Sequence, residues 1–256
     1  MKIGVQTFTI RKAQKKNIRR AFLPLIDLGI KSYEVARIKF DTKNAAELKN
    51  LVNEFGIEIS AIQVKPKYVF GDPAKIIEFC KTTGCKNVVI SMLPFRCILG
   101  GEDKFYDFVD SLDAMSEIYE KEGITLAYHH HNWEYIKLSN GNTRMQELLA
   151  KTKKIRFVHD TYWTARSGKD PVWQIGEFGE RLLGIHLRDL AFKKRGIDVI
   201  ATDAPIGDGV IDFARVLCAA EKVGCAYYVI EQKTDTPYLD LEKSYRNIGK
   251  ILEANE

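Results

Sequence analysis

The segment Gly123-Ile124-Thr125-Leu126-Ala127-Tyr128-His129 contains the local pattern that decides the fold. A glycine after a helical stretch is typical of a helix end, because it adopts the left-handed C-cap conformation without a steric penalty. The apolar run that begins at Ile124 has the length of a buried strand, and polar residues from His129 onward end it. The segment therefore predicts a helix end, a buried strand and a polar strand end, in that order.

The same pattern recurs along the whole chain. Glycine stands at further predicted joints between a helix and a strand, at Gly29, Gly56, Gly84 and Gly224. The eight predicted strands are Ile3–Thr9, Ser32–Ala36, Ile57–Val64, Asn87–Met92, Ile124–His129, Ile155–Asp160, Leu182–Leu187 and Tyr227–Glu231. With amphipathic helices between them, they predict an α/β fold, a closed (β/α)8 TIM barrel that forms a single domain over residues 1–256. A doubly wound open sheet is the alternative.

The composition is that of an ordinary soluble globular protein. Hydrophobic residues make up 45% of the chain, and 39 Lys and Arg against 34 Asp and Glu give a net charge of +5. The basic stretches are short and lack interleaved aromatic residues, so no nucleic-acid partner is expected. No apolar run is long enough to span a membrane, no signal peptide precedes the first strand, and the five cysteines form no CxxC pair. These features predict a cytoplasmic protein without a membrane partner.

Four consecutive predicted strands in the second half end with a histidine or a carboxylate. The residues at these strand ends are His129, Asp160, His186 and Glu231. Neighbouring strands lie about 5 Å apart, so these side chains can converge at the carboxyl end of the barrel. A mixed histidine and carboxylate set without a thiolate suits one divalent ion, Mn²⁺, Co²⁺, Mg²⁺ or Zn²⁺. Taken singly, each residue also has a structural explanation, such as Asp160 capping the next helix.

Alternation along the fifth strand separates the three consecutive histidines. His129 and His131 share one face, and His130 points away from it, because side chains alternate between the two faces of a strand. His159 precedes Asp160 and is expected to face the helices in the same way. We therefore assign the chemistry to His129 and His131, and a packing role to His130 and His159.

Several motifs resemble those of a known family. They are Tyr128–Glu134, similar to the family segment YHNHxxE; Asp160–Trp163; Gly168–Pro171; His186–Asp189, similar to HxKD; Gly207–Phe213; and Glu231-Gln232. Over essentially its whole length the chain resembles the sugar phosphate isomerase/epimerase family. These are xylose-isomerase-like TIM barrels that also include inosose dehydratases and ketose 3-epimerases.

The resemblance implies a divalent ion held by a Glu, an Asp, a His and a second Glu. Asp160, His186 and Glu231 match three of these positions. At the first Glu an ungapped alignment places His129, so we assign the fourth ligand to Glu134 in the loop beyond. His129 can serve in its place or act next to the metal. The resemblance also implies catalysis by Glu231 as the leading base, with Glu134 or His129 as the second group.

The resemblance further implies a small-molecule carbohydrate as the substrate and allows a homo-oligomer. Glu34, at the end of the second strand, is a candidate for a sugar hydroxyl or for an ion pair with Arg37. His131 and Trp163 are further substrate-side candidates, although Trp163 can also be rim packing. Arg188 replaces the family's lysine, and its guanidinium suits a carboxylate, a phosphate or a pair of hydroxyls.

The function expected from this resemblance is a metal-dependent sugar or sugar phosphate isomerase/epimerase that works through an enediolate. The alternative is a dehydratase or lyase that acts on an inosose or a 3-keto sugar through the same enolate. That alternative is favoured if neither Glu134 nor a histidine reaches the substrate, since elimination needs only one base and one acid. A phosphodiesterase of the AP-endonuclease type would need His and carboxylate ligands at most strand ends. It is disfavoured, because all five histidines lie between His129 and His186 and the first four strands contain none. The last alternative is a barrel that binds a sugar without catalysis, and only the absence of metal binding would support it.

Overall fold

Eight parallel strands close into a barrel in the computed structural model, which describes residues 1–254. The barrel strands are β1 (Ile3–Gln6), β2 (Ser32–Ala36), β3 (Glu58–Val64), β4 (Asn87–Ile90), β5 (Thr125–His129), β6 (Arg156–Asp160), β7 (Leu182–Leu187) and β10 (Tyr227–Ile230). They follow one another around the barrel in chain order, and β10 closes it against β1. The predicted TIM barrel is confirmed.

Helices surround the barrel on its outside. They are α1 (Arg11–Lys16), α2 (Ile18–Asp27), α3 (Thr42–Phe55), α4 (Pro66–Gly71), α5 (Pro73–Thr83), α6 (Phe95–Leu99), α7 (Glu102–Glu120), α8 (Arg144–Lys151), α9 (Thr161–Arg166), α10 (Pro171–Phe178), α11 (Phe213–Lys222) and α12 (Pro237–Glu253). Two helix starts show the cap that the sequence predicts, since Asp72 accepts a hydrogen bond from Lys75 N and Asp170 from Val172 N. Among residues 1–254, no helix combines the length and the apolarity that a bilayer span requires.

The barrel interior is filled by a compact layer of apolar side chains below the strand ends. Its members are Ala61, Val89, Ala127, Val158, Leu183, Tyr227 and Val229. Tyr227 lies directly beside Gly184 on β7, where a Cβ atom would come within 2.3 Å of the phenol ring. Only glycine leaves room for that ring, and the ring carries the Tyr227 hydroxyl to the layer above. The larger apolar core lies between the strands and the helices.

A β-hairpin that the sequence analysis did not predict follows β7. Its strands, β8 (Asp189–Arg195) and β9 (Asp198–Ala204), pair antiparallel and form a separate two-stranded sheet. The base of the hairpin is fixed by the buried Asp189 carboxylate, which accepts hydrogen bonds from four backbone N–H groups, those of Leu190, Gly207, Gly209 and Ile211. The backbone of residues 207–211 therefore wraps around this carboxylate.

Candidate metal centre

Four buried side chains meet at the carboxyl ends of β5, β6, β7 and β10. They are His129, Asp160, His186 and Glu231, and one ligand atom from each lies within 4.8 Å of the others. His129 Nε2 lies 3.5 Å from Asp160 Oδ2, and His186 Nδ1 lies 2.9 Å from Glu231 Oε2. The four residues predicted at consecutive strand ends are thus brought together on four adjacent strands.

The facing atoms of this group have no hydrogen-bond partner. They are His129 Nε2, Asp160 Oδ2, His186 Nδ1 and Glu231 Oε2, and all four are buried. A buried polar atom without a partner costs about 1–3 kcal/mol, and more when it is charged. Four such atoms that point at one another fit a divalent ion, which would satisfy all of them at once. Two imidazoles and two carboxylates are a donor set that Mn²⁺, Co²⁺ or Zn²⁺ accepts readily.

His129 is oriented by the backbone of the preceding barrel unit. Its Nδ1 lies 3.3 Å from the carbonyl oxygen of Ser91, to which it donates a hydrogen bond. With Nδ1 donating to this carbonyl, Nε2 is the ring nitrogen that faces the group and could bind an ion.

His186 is oriented by a carboxylate from the opposite side of the barrel. Its Nε2 donates to Glu34 Oε1 at 2.9 Å, and the other Glu34 oxygen accepts from the Tyr227 hydroxyl at 2.7 Å. A carboxylate behind a histidine fixes the ring and raises its basicity as a ligand. Glu34 is fully buried, and both of its oxygens are engaged by His186 and Tyr227, so it lies behind His186 and forms no ion pair with Arg37 among the described residues.

The two carboxylate oxygens of Asp160 make different contacts, one with the backbone of helix α9 and one with the cluster. Its Oδ1 accepts a hydrogen bond of 3.0 Å from Trp163 N and caps helix α9, while Oδ2 faces His129. The capping role considered for this residue therefore accompanies its place in the cluster.

Burial and charge act against each other on these groups. Burial alone would lower the pKa of His186, but Glu34 and Glu231 outweigh it and raise that pKa to about 10. Burial would raise the pKa of Asp160, but His129 and Arg188 hold it far below its ordinary value. Burial would likewise raise the pKa of Glu231, but His186 and Arg188 lower it. Both carboxylates are therefore ionised at neutral pH, as metal ligands must be.

Glu134 stands outside the cluster. One of its oxygens accepts from the Tyr128 hydroxyl and the other from His131 N at 2.8 Å, and the side chain is fully buried. Burial raises the pKa of this carboxyl group. It lies on a 3₁₀ turn, Trp133–Tyr135, whose backbone carries it back toward the base of the loop. The geometry thus puts His129 in the position that the sequence analysis assigned first to Glu134.

His130 and His159 form a buried pair behind the cluster. His130 Nε2 lies 3.1 Å from His159 Nδ1 and also accepts from Asp160 N at 3.1 Å. Burial lowers the pKa of His130 to about 3 and that of His159 well below its ordinary value, so both rings are neutral. The pair packs on Phe178 of α10 and supports the strand ends, which is the placement that the alternation predicted.

A cavity of about 690 Å³ opens above the cluster, a usual size for a small-molecule site. His129 and Glu231 line it, as do the substrate-side candidates His131, Trp163 and Arg188. The ring of His131 lies 4.8 Å from that of His129, centroid to centroid, and burial lowers its pKa well below the ordinary value.

Arg188 joins the cluster to the hairpin. Its Nε and Nη2 donate to the two oxygens of Asp203 on β9, at 2.6 and 3.1 Å. Its Nη1 lies 3.6 Å from both Asp160 Oδ2 and Glu231 Oε1. The guanidinium is held over the ring of Tyr162 at 4.4 Å. Sequence analysis missed Asp203, because it lies on an unpredicted strand whose residues are mostly only partly buried.

Comparison with known proteins gives several inosose dehydratases as relatives. That of Geobacillus thermodenitrificans is 24% identical over 151 residues, covering 52% of this chain and 49% of the relative. The chain thus spans about half the length of that relative. That of Geobacillus kaustophilus is 21% identical over 271 residues, covering 88% of this chain and 83% of the relative.

Solved structures share the fold. A sugar phosphate isomerase/epimerase from Parabacteroides distasonis superposes with a TM-score of 0.78 at 20% identity, over 97% of this chain and 98% of the other. A xylose isomerase-like TIM barrel protein from Mycobacterium smegmatis, solved in complex with magnesium, has a TM-score of 0.68 at 11% identity, over 91% and 87%.

The sequence profile described as xylose isomerase-like TIM barrel matches residues 24–253, which is most of the chain. The chain belongs to the xylose isomerase-like TIM barrel family.

Proposed function

We propose that this chain is a divalent-metal-dependent enzyme that removes the proton from the carbon beside the carbonyl of a keto sugar, and that it uses the resulting enolate for elimination of water. The observation that carries the proposal is the set of four unpartnered, buried ligand atoms on His129, Asp160, His186 and Glu231. These residues would hold one ion, Mn²⁺, Co²⁺, Mg²⁺ or Zn²⁺. Such an ion would supply positive charge next to the substrate oxygen that becomes negative when the proton leaves.

Glu231 is the proposed base. One of its oxygens belongs to the cluster, and the residue lines the cavity with Oε1 near Arg188 Nη1. Because its pKa is lowered, the carboxylate is ionised at neutral pH and can accept a proton. Arg188, held by Asp203, would donate hydrogen bonds to a substrate oxygen from a fixed position.

The geometry favours elimination over epimerisation because, among residues 1–254, Glu231 is the one carboxylate of the cluster that lines the cavity. Epimerisation by two carboxylates needs a second one on the other face of the substrate, and both oxygens of Glu134 are engaged below the cavity. At the other candidate position stands His129, whose nitrogens are directed to Ser91 and to the cluster. Elimination needs one base and a donor to the departing hydroxyl. His131 lines the cavity, and its neutral imidazole would donate a hydrogen bond to that hydroxyl, which would leave as water with the proton that Glu231 removed.

The sugar or sugar phosphate isomerase/epimerase expected from the sequence is the second candidate. One observation favours it: the Glu231 carboxylate both belongs to the cluster and lines the cavity. A proton that Glu231 takes from one carbon could be returned by the resulting carboxylic acid to the neighbouring carbon of the enediolate, which would give isomerisation with a single group. The names of the relatives and structural neighbours include both dehydratases and an isomerase/epimerase, so they support the shared proton abstraction.

The names of the relatives and the size of the cavity support a substrate class. The relatives are named for inosose, a cyclic keto sugar, and a cavity of about 690 Å³ accommodates one sugar ring with a substituent. We therefore propose an inosose, a 3-keto sugar or a ketose as the small-molecule partner.

The test is incubation of Mn²⁺-loaded protein with keto-inositol, 3-keto-glucose, ketohexoses and ketohexose phosphates in D₂O, followed by mass spectrometry. A product lighter by one water indicates elimination, and a product of the same formula that carries deuterium indicates epimerisation or isomerisation. Glu231→Gln should abolish either outcome, whereas Glu177→Gln, on the exposed face of α10, should not. A metal-loaded protein that neither exchanges nor dehydrates any of these compounds would contradict the proposed chemistry.

A further inference from the structure

The wall of the cavity away from the metal cluster is strongly basic. Seven Lys and Arg line the cavity against three Asp and Glu. Arg188 is the one cation of these seven with a carboxylate within 4 Å among residues 1–254. Asp235 lines the same wall, but no cation lies within ion-pair distance of it in this part of the chain. The uncompensated positive charge therefore belongs to the other six cations that line the cavity, and not to Arg188 at the metal cluster.

Two of these cations converge on one aromatic ring. The guanidinium carbon of Arg11 lies 4.0 Å from the centroid of Phe8, and that of Arg37 lies 5.3 Å from the same centroid. Arg11 is also fixed by a hydrogen bond of 2.8 Å from Nη1 to the carbonyl oxygen of Phe8. Two like charges that both lie close to one ring raise the free energy of the ligand-free protein, and an anion bound near both lowers it. The pair therefore has the form of a site for an anion.

The backbone holds Arg37 in this place under strain. Its φ of 61° is the only positive φ of a non-glycine residue between residues 1 and 254. The preceding Ala36 is tied down on both sides: its N–H donates to Thr7 Oγ1 at 2.9 Å, and its carbonyl accepts from Gln14 Nε2 at 2.6 Å. Strained residues that are held so firmly are concentrated at ligand sites. The ties run to the segment that carries Phe8 and Arg11, so the backbone at Arg37 is fixed relative to that segment.

We propose that Arg11 and Arg37 bind the phosphate group of a phosphorylated keto sugar whose reacting carbons lie at Glu231. The location of the reacting carbons at Glu231 rests on the proposed function, whereas phosphate binding by the two arginines does not. Phe8 and Arg11 follow β1 and Arg37 follows β2, which are the next two strands around the barrel after β10 with Glu231. All of them line one cavity, so a single ligand can reach both ends of it.

A phosphate monoester fits this wall better than a carboxylate. Two guanidiniums offer several N–H donors in planar arrays that suit the oxygens of a phosphate. Lys12 and Lys233 also line the cavity and add charge appropriate to a dianion. A carboxylate would use one guanidinium and leave the second without a counter-charge.

The experiment is calorimetric titration of inorganic phosphate into chelator-treated protein at constant ionic strength, with acetate as the comparison anion. Wild type is compared with Arg11→Gln, Arg37→Gln and the double variant. Arg20→Gln is the matched control, because Arg20 is exposed on α2 and lines none of the cavities described. We expect wild type and Arg20→Gln to bind phosphate equally, and the double variant to bind it at least tenfold more weakly.

The proposal is overturned if wild type binds no phosphate, if the double variant binds it as wild type does, or if acetate binds as tightly. Since the titration contains no divalent metal, none of these results bears on the metal cluster. Conversely, His186→Ala should bind phosphate normally even if the proposed metal chemistry fails. The two proposals therefore succeed or fail separately.

Discussion

The carboxylate of Glu34 on β2 holds the imidazole of His186 on β7 from across the barrel, with 2.9 Å between Oε1 and Nε2. This contact joins residues that are 152 positions apart and fixes which nitrogen of His186 faces the cluster. It makes Glu34 a positioning residue for the proposed metal site, and its neighbour Tyr227 supports it with a second hydrogen bond.

Glu34→Gln is expected to weaken Mn²⁺ binding by about 10- to 100-fold, because the amide keeps the shape but removes the charge that raises the basicity of His186. Tyr227→Phe, which removes one hydrogen bond from the same carboxylate, should have a smaller effect in the same direction. Isothermal titration with Mn²⁺ measures both. Equal affinities in wild type and Glu34→Gln would show that the contact serves packing alone.

Metal binding should release a proton from His186. Its pKa, raised to about 10, lies above the ordinary value near 6.5, so without an ion the ring is protonated at neutral pH. A ligand nitrogen must lose that proton, and the apparent affinity should therefore rise about tenfold per pH unit between pH 7 and 9. Titrations in buffers of different ionisation enthalpy count the released protons. Release close to zero, together with a pH-independent affinity, would contradict the protonated state.

The strain at Arg37 predicts an unusual stability change. Arg37→Gly should leave the free energy of unfolding unchanged or raise it by up to about 1 kcal/mol, since relief of a left-handed residue, roughly 1–2 kcal/mol, exceeds the added entropy of glycine in the unfolded chain. Arg37→Val should lower it by about 1 kcal/mol, because a β-branched residue tolerates this conformation poorly. Chemical denaturation measures both variants. A valine variant as stable as the glycine variant would argue against strain.

Gly184→Ala should destabilise the barrel by about 1–3 kcal/mol, because the added methyl group would overlap the ring of Tyr227. It should also weaken metal binding, since the displaced ring carries the hydroxyl that supports Glu34. Gly176→Ala is the matched control: it lies within α10 with open space around it, so alanine should stabilise by about 0.5–1 kcal/mol. Thermal and chemical unfolding of the two variants with the same sign would contradict this packing argument.

Local patterns in the sequence predict the barrel and most of the cluster. The remaining features depend on contacts between residues that are far apart in the chain. Strand ends at Asp160, His186 and Glu231 could be read from apolar runs that stop at a charged residue, and barrel closure then brings them together. The role of Glu34 could not, because it depends on which residue lies opposite across a closed barrel. Glu134 was placed among the ligands by likeness to a motif, whereas the 3₁₀ turn directs it toward Tyr128.

The hairpin was missed for a different reason. Its residues Lys193, Lys194 and Arg195 are exposed and charged, so they lack the apolar run that marks a buried strand. The available signal was the two-residue connection Gly196-Ile197 between stretches of partly alternating polarity, which is typical of a β-hairpin. Since the hairpin carries Asp203, part of the cavity wall was missed with it.

The most direct test of the metal centre is Mn²⁺ affinity measured in wild type, His129→Ala and Glu134→Gln, with circular dichroism to verify folding. We expect one equivalent of Mn²⁺ in wild type, at least tenfold weaker binding in His129→Ala, and unchanged affinity in Glu134→Gln despite a loss of about 1–3 kcal/mol of stability. Loss of binding in Glu134→Gln with retention in His129→Ala would contradict the ligand set, and a wild-type protein that binds no divalent ion would contradict the metal centre itself.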